Sequence, residues 1–188
     1  SLIVHGDRNA PEPSLPRQIH VIPVLGNQDA FPADRLVIDL IFLAVTRLRQ
    51  TAPGVLIVNL SLGNARRPFH GQLSAWARLI DRMSQRFGLL FIVSAGNQVE
   101  RFGMPGYANS IAFESANGLH RATTTVTSLN NIAADRRLLS PSETVNGVTV
   151  GGCNHDAVQD ADRALARVLI NPFPDHRTAN PSSAMGPG

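Results

Sequence analysis

Short apolar runs that end in small or polar residues constrain the fold of this chain more than any other feature. Three such runs cover residues 19–25, 55–60 and 89–93, and a weaker fourth run covers residues 145–150. Their apolar side chains follow one another instead of alternating with polar ones, which is typical of strands covered on both faces. Because such strands belong to parallel sheets, the runs predict an α/β fold.

Segments with helical periodicity separate these runs. Asp34 is expected to cap the first helix, and apolar residues on nearly every side of that helix predict deep burial. The second helix has a clear apolar stripe and is expected to stop at Gly88. Alternating strands and helices predict right-handed crossovers in a doubly wound parallel sheet with helices on both faces. The predicted helices cover residues 34–49, 71–87, 122–138 and 157–169.

The composition excludes several classes of protein. Of 188 residues, 43% are hydrophobic and 16% are charged, which suits a chain with a sizeable buried core. The basic residues are arginines scattered along the chain and the net charge is only +3, so we expect no nucleic-acid surface. No apolar run is long enough to span a membrane, so we expect no membrane segment.

Metals and cofactors are not expected either. The single cysteine cannot form an intramolecular disulfide, and the histidines show no zinc-binding spacing. A nucleotide-binding domain would need a glycine-rich phosphate loop between a strand and a helix, and no such motif occurs. We therefore expect no cofactor, although a nucleotide titration remains the direct test of that alternative. The sequence does not reveal the compartment in which the protein works.

The phrases at the ends of the runs resemble those of subtilisin-like serine proteases, the subtilases. The resemblance is to an ordered set of phrases, which covers most of the chain and is more specific than any one of them. It implies a partial subtilisin-like fold and, in the intact protein, peptide-bond hydrolysis. The phrases lie at Val21–Gly26, Ile57–Gly63, Phe91–Asn97, Pro141–Gly151 and Ser182–Gly188.

The same resemblance indicates which family features are absent from these 188 residues. The Asp-Thr/Ser-Gly, His-Gly-Thr and Gly-Thr-Ser-Met-Ala phrases that carry the family's catalytic triad do not occur. Residues 1–4 resemble the continuation of the helix that bears the catalytic histidine. We therefore expect the chain to be a central segment of a catalytic domain, between the catalytic His and catalytic Ser regions, and to be inactive when isolated.

The resemblance also assigns candidate site residues. Asn97 is the candidate oxyanion-hole donor, because a fixed amide stabilises the negative charge that develops during acyl transfer without adding a titrating group. Ser61, Leu62 and Gly63 resemble the family's substrate-binding segment. Ser94, Ala95 and Gly96 are expected to line the opposite wall of a side-chain pocket. Gly96-Asn97 taken alone would indicate only a turn, since both residues favour left-handed backbone.

Two further expectations concern binding. The partner is expected to be a peptide or protein substrate. A parent that had lost its triad would instead be a non-catalytic, peptide-binding relative, and these residues do not distinguish the two. The isolated chain is also expected to self-associate, because apolar edges of the sheet would be left uncovered.

Overall fold

The computed structural model describes residues 17–26, 30–98, 100–152 and 183–184. They belong to two compact units. The sheet unit comprises Ile19–Val99, Ala133–Gly152 and Ser182–Gly188. The helical unit comprises Ser1–Gln18, Glu100–Ile132 and Cys153–Pro181.

Three parallel strands form the sheet. They are β1 (Ile57–Leu60), β2 (Leu90–Ser94) and β3 (Val148–Val150), and their order in the sheet is β1-β2-β3. Leu60 is in register with Val93, and Ser94 is in register with Val150. The predicted α/β class with a parallel sheet is confirmed, and β2 is the central strand of the described residues.

Two helices accompany the sheet, α1 (Val37–Thr51) and α2 (Ala75–Phe87). Local signals define α2 well. The Ser74 hydroxyl oxygen accepts the Ala77 N–H at 3.0 Å, and Gly88 ends the helix in the left-handed conformation with a φ of 61°. Side chains from both helices and from β1 and β2 share one core. It consists of Ile41, Val45, Leu60, Trp76, Ile80, Met83, Leu89, Phe91 and Val93.

The structure corrects the predicted start and burial of the first helix. Asp34 does not cap it; Leu36 occupies the N-cap position without a side-chain hydrogen bond. Three α1 side chains are buried, but Phe42 is 39% exposed and Leu43 is 54% exposed. Deep burial was therefore a wrong prediction, because apolar residues all round a helix do not ensure that every face has a packing partner.

The apolar run over residues 19–25 is not a strand. Val21 is 81% exposed, Ile19 is 48% exposed, and β1 pairs with β2 and not with this run. A continuous apolar run reports the capacity to be buried, but a strand also needs a neighbour for its backbone groups.

The placement of helices on both faces of the sheet remains an expectation.

The described part of the helical unit contains α3 (Ser110–Ser115) and α4 (Gly118–Asn131). Asn109 and Asn117 cap them through their side-chain oxygens. The predicted helix at 122–138 thus starts and ends earlier than expected, and α3 was not predicted. A short 3₁₀ helix, Ala133–Asp135, follows in the sheet unit. The helix predicted at 157–169 lies outside the described residues.

Candidate active site

The carboxyl ends of β1 and β2 bring the two main candidate segments to the same edge of the sheet. Leu60 and Val93 are paired in register, so Ser61–Gly63 and Ser94–Asn97 leave neighbouring parallel strands in the same direction. In open parallel α/β sheets this edge is where ligands bind. The topology therefore brings both predicted segments to one edge of the sheet, and their role in substrate binding stays a prediction.

Asn97 lies just beyond the central strand, and its side chain is exposed. Its backbone forms an isolated antiparallel bridge with Ser183. Among the described residues, nothing hydrogen-bonds to the Asn97 carboxamide. The expected orientation towards a scissile carbonyl stays a prediction.

The backbone before Asn97 is held on three sides. The Ala95 N–H donates to the Val150 carbonyl at 2.9 Å, and the Ala95 carbonyl accepts the Leu139 N–H at 3.0 Å. The Gly96 carbonyl accepts the Ala184 N–H at 2.9 Å. Because these partners come from distant parts of the chain, the position of Asn97 is fixed by tertiary structure and not by a local turn alone.

Gly96 meets a steric requirement at this point. Its φ is 102°, in the region that favours glycine, and an added Cβ would lie 2.6 Å from the Leu139 Cβ. The chain therefore bends sharply immediately before Asn97, against the Leu139 side chain.

Ser61, Leu62 and Gly63 are at least partly accessible, with Ser61 and Gly63 exposed. The Ser61 hydroxyl accepts the Asn59 Nδ2–H at 3.1 Å. Beyond β1, the backbone groups of this segment make no hydrogen bond to other described residues. An extended peptide pairs with a segment of this kind by adding its own backbone hydrogen bonds.

Ser94, Ala95 and Gly96 are less accessible. Ala95 is 3% exposed, Gly96 is buried and Ser94 is half-buried. The Ser94 hydroxyl accepts the Gly96 N–H at 3.2 Å. Small side chains and backbone groups that are already hydrogen-bonded within the protein are suited to the wall of a side-chain pocket. The contact of these three residues with a substrate side chain stays a prediction.

A cavity of about 790 Å³ opens beside the Ser61–Gly63 segment. Of the predicted site residues, Leu62 and Gly63 line it, whereas Ser61 and Ser94–Asn97 do not. Phe31 and Trp76, which pack edge to face with their ring centroids 5.8 Å apart, form part of its apolar lining. Other apolar lining residues are Leu25, Leu36, Val37 and Ile38.

A buried polar network supports the cavity wall at Ser74 and Ser140. The Ser140 hydroxyl donates to the Ser74 hydroxyl at 2.6 Å, and the Ser74 N–H donates to the Glu143 Oε1 at 3.0 Å. Glu143 is 8% exposed, so its carboxylate lies behind the wall. The sequence did not predict this network because Ser74 lies more than 60 residues before Ser140 and Glu143.

The described residues show no group of three side chains that could hold a metal ion. None of the helices in the part of the chain described here is long and apolar enough to cross a membrane.

Comparison with known proteins identifies the family of the chain. The sequence profile described as "Subtilase family" matches residues 21–187. The chain belongs to the subtilase family. Membership makes the chain part of a family of serine proteases, which are hydrolases, and confirms the subtilase resemblance and the α/β fold.

One curated relative of this subtilase is an uncharacterized protein, y4bN, from Sinorhizobium fredii (strain NBRC 101917 / NGR234). The two sequences are 31% identical over 148 residues, which cover 77% of this chain and 30% of the relative. The chain thus spans less than a third of the length of that relative. No solved structure gives a significant match.

Proposed function

We propose that this subtilase chain supplies the oxyanion-hole amide and one side of the substrate cleft of a serine endopeptidase. Asn97 donates a hydrogen bond to the carbonyl oxygen as negative charge develops on it, and Ser61–Gly63 pairs with the extended substrate. The triad residues lie outside these 188 residues. The observation that carries the proposal is the exposed carboxamide of Asn97 just beyond the central described strand, which no other described residue engages in a hydrogen bond.

Physical chemistry favours this role for Asn97. Hydrogen-bond donors that are already fixed in place stabilise a developing charge without reorganisation during the reaction. The backbone bonds of Ala95 and Gly96 hold the strand end in place, which limits the movement of the residue that follows. Asn97 also brings no charge, so its contribution does not depend on a titration of its own.

The test uses the intact protein that contains this chain. The isosteric variant Asn97→Asp removes the amide donor from it. We expect kcat for peptide cleavage to fall strongly while KM changes little, because the lost bond forms mainly in the transition state. Removal of one oxyanion-hole donor lowers kcat by about 10²–10³-fold, a magnitude measured in a member of this family. Asn97→Ala should show the same split without adding a negative charge.

Asn109→Asp is the matched control. Asn109 caps α3 from an exposed position, and aspartate is an equally good cap, so this amide-to-acid change should leave cleavage unchanged. Equal activity of the Asn97 variants and the wild type would contradict the oxyanion role. Peptide binding with no turnover by the wild-type protein would favour the non-catalytic, peptide-binding alternative. If the isolated 188-residue chain hydrolysed peptides and a serine-directed inhibitor stopped the reaction, the proposal that the triad lies outside this chain would be contradicted.

A further inference from the structure

We propose that Arg66 and Arg67 make the cavity beside β1 selective for peptides that carry an acidic side chain next to an apolar one. The proposal rests on the proposed function, because it specifies which peptides the cleft takes. It depends on two adjacent arginines of this chain, Arg66 and Arg67.

The backbone that carries the two arginines is firmly anchored. The Arg66 N–H donates to the Asn64 Oδ1 at 3.0 Å, and the Arg67 N–H donates to the Asn64 carbonyl at 2.9 Å. Asn64 and Arg67 in turn exchange backbone hydrogen bonds with Ser140, at 2.8 and 3.0 Å. The Cα atoms of both arginines are therefore fixed relative to the cavity wall, which lowers the entropic cost of using their side chains for binding.

Both side chains are exposed and both residues line the cavity. Within the described residues, no hydrogen bond or ion pair engages either guanidinium group. Some other arginines serve the fold: Arg49 donates to the Pro53 carbonyl at 2.7 Å and to the Val55 carbonyl at 2.9 Å. Arg66 and Arg67, in contrast to Arg49, have guanidinium groups that no described residue engages, and both lie at the cavity.

No described residue that lines the cavity is acidic. The Glu143 carboxylate accepts the Ser74 N–H behind the wall and does not line the cavity. Two positive charges therefore lie beside an apolar surface without a compensating negative charge among the lining residues. The planar guanidinium matches a carboxylate with paired hydrogen bonds, so the complementary group is an Asp or Glu side chain.

The apolar lining identifies the rest of the ligand. Leu62, Phe31 and Trp76 offer a surface for an aliphatic or aromatic side chain, and the adjoining Ser61–Gly63 backbone offers pairing to an extended chain. Nucleic acid does not fit, because it would require a longer basic surface and no apolar cavity. A peptide with neighbouring apolar and acidic side chains satisfies all of these features.

The test compares two fluorescently labelled peptides that differ only by Glu or Gln beside a leucine. Their affinities for the whole protein are measured by fluorescence anisotropy, in an Asn97→Ala background that suppresses turnover. Because exposed ion pairs contribute little each, we expect the Glu peptide to bind about fivefold more tightly at low ionic strength. The ratio should shrink as salt is added.

Arg66→Gln/Arg67→Gln should bring the ratio close to one. The matched control is Arg78→Gln/Arg82→Gln, which removes the same charge from exposed positions on α2 that do not line the cavity. The control should keep the preference for Glu. A ratio near one in the starting protein, or an equal loss in both double variants, overturns the proposal.

Failure of this inference is distinguishable from failure of the proposed function. Cleavage that depends on Asn97 but ignores the acidic residue would leave the oxyanion role standing and overturn the acidic preference. If the Glu peptide bound in an arginine-dependent way but the wild-type protein cleaved no peptide, the acidic preference would be supported and the catalytic role contradicted.

Discussion

Gly96 shows how one residue without a side chain positions a functional one. Its left-handed backbone and the close approach of Leu139 leave no room for a Cβ. In Gly96→Ala we expect the free energy of local opening to fall by about 2–4 kcal/mol, because backbone strain and overpacking add. Hydrogen exchange of the β2 and β3 amides in the whole protein measures this loss.

Gly71 is the matched control for that substitution. Its φ is 87°, but nothing lies within 4 Å of an added Cβ. Gly71→Ala should therefore cost only the backbone strain, about 1–2 kcal/mol. An equal cost at both glycines would show that the approach of Leu139 does not matter.

At the same scale, the sequence predicted Gly96 and Asn97 as neighbours at a strand end but not what holds them. Small polar residues after an apolar run are a local signal, and this signal was sufficient to locate the turn. The contacts of Gly96 with Leu139 and Ala184 depend on residues more than 40 positions away. No pattern within a short window reports such contacts.

The N-terminus of α2 is the element that links the helix to the loop before β3. The Ser74 hydroxyl accepts both the Ala77 N–H and the Ser140 hydroxyl, and Ser140 is 2% exposed. Ser74→Ala should lower the free energy of local opening by about 2–3 kcal/mol, since it removes a cap and leaves a buried hydroxyl without an acceptor. Hydrogen exchange of the backbone amides in the first turn of α2 and in the loop over residues 139–144 measures this loss of free energy.

A double-mutant cycle separates the two contributions. If the hydroxyl pair matters, Ser74→Ala/Ser140→Ala should cost less than the sum of the two single substitutions. Asn117→Ala removes an exposed cap of α4 and should cost only about 1 kcal/mol. Additive single costs would mean that the buried hydroxyl bond contributes nothing.

Elements were predictable to the extent that their own residues define them. The amphipathic stripe, Ser74 and Gly88 together specify α2 locally, so its existence and its end were predicted. The run at 19–25 is as apolar as β1, yet it lacks a partner strand among the described residues and remains exposed. The cavity could not be predicted, because Leu25, Trp76 and Ser140 meet only after folding.

At the scale of the whole molecule, exposed apolar side chains on the outer strands predict association of the 188-residue chain produced alone. In the described sheet, β1 and β3 each have one unpaired edge. Ile57 on β1 is 61% exposed, and Val150 on β3 is 49% exposed. Unpaired edges with apolar side chains favour pairing with another chain, so sedimentation velocity should reveal dimers or larger species at micromolar concentration.

Two double variants identify the surface responsible. Ile57→Lys/Val150→Lys adds charge at both sheet edges and should shift the chain towards monomer, because charged edge residues oppose strand pairing. Ile111→Lys/Leu119→Lys adds the same charge to the helical unit, where both residues are 74% exposed, and should leave association unchanged. A monomeric wild-type chain would contradict self-association altogether. If only the helical-unit variant became monomeric, the chains would associate through the helices and not through the sheet edges.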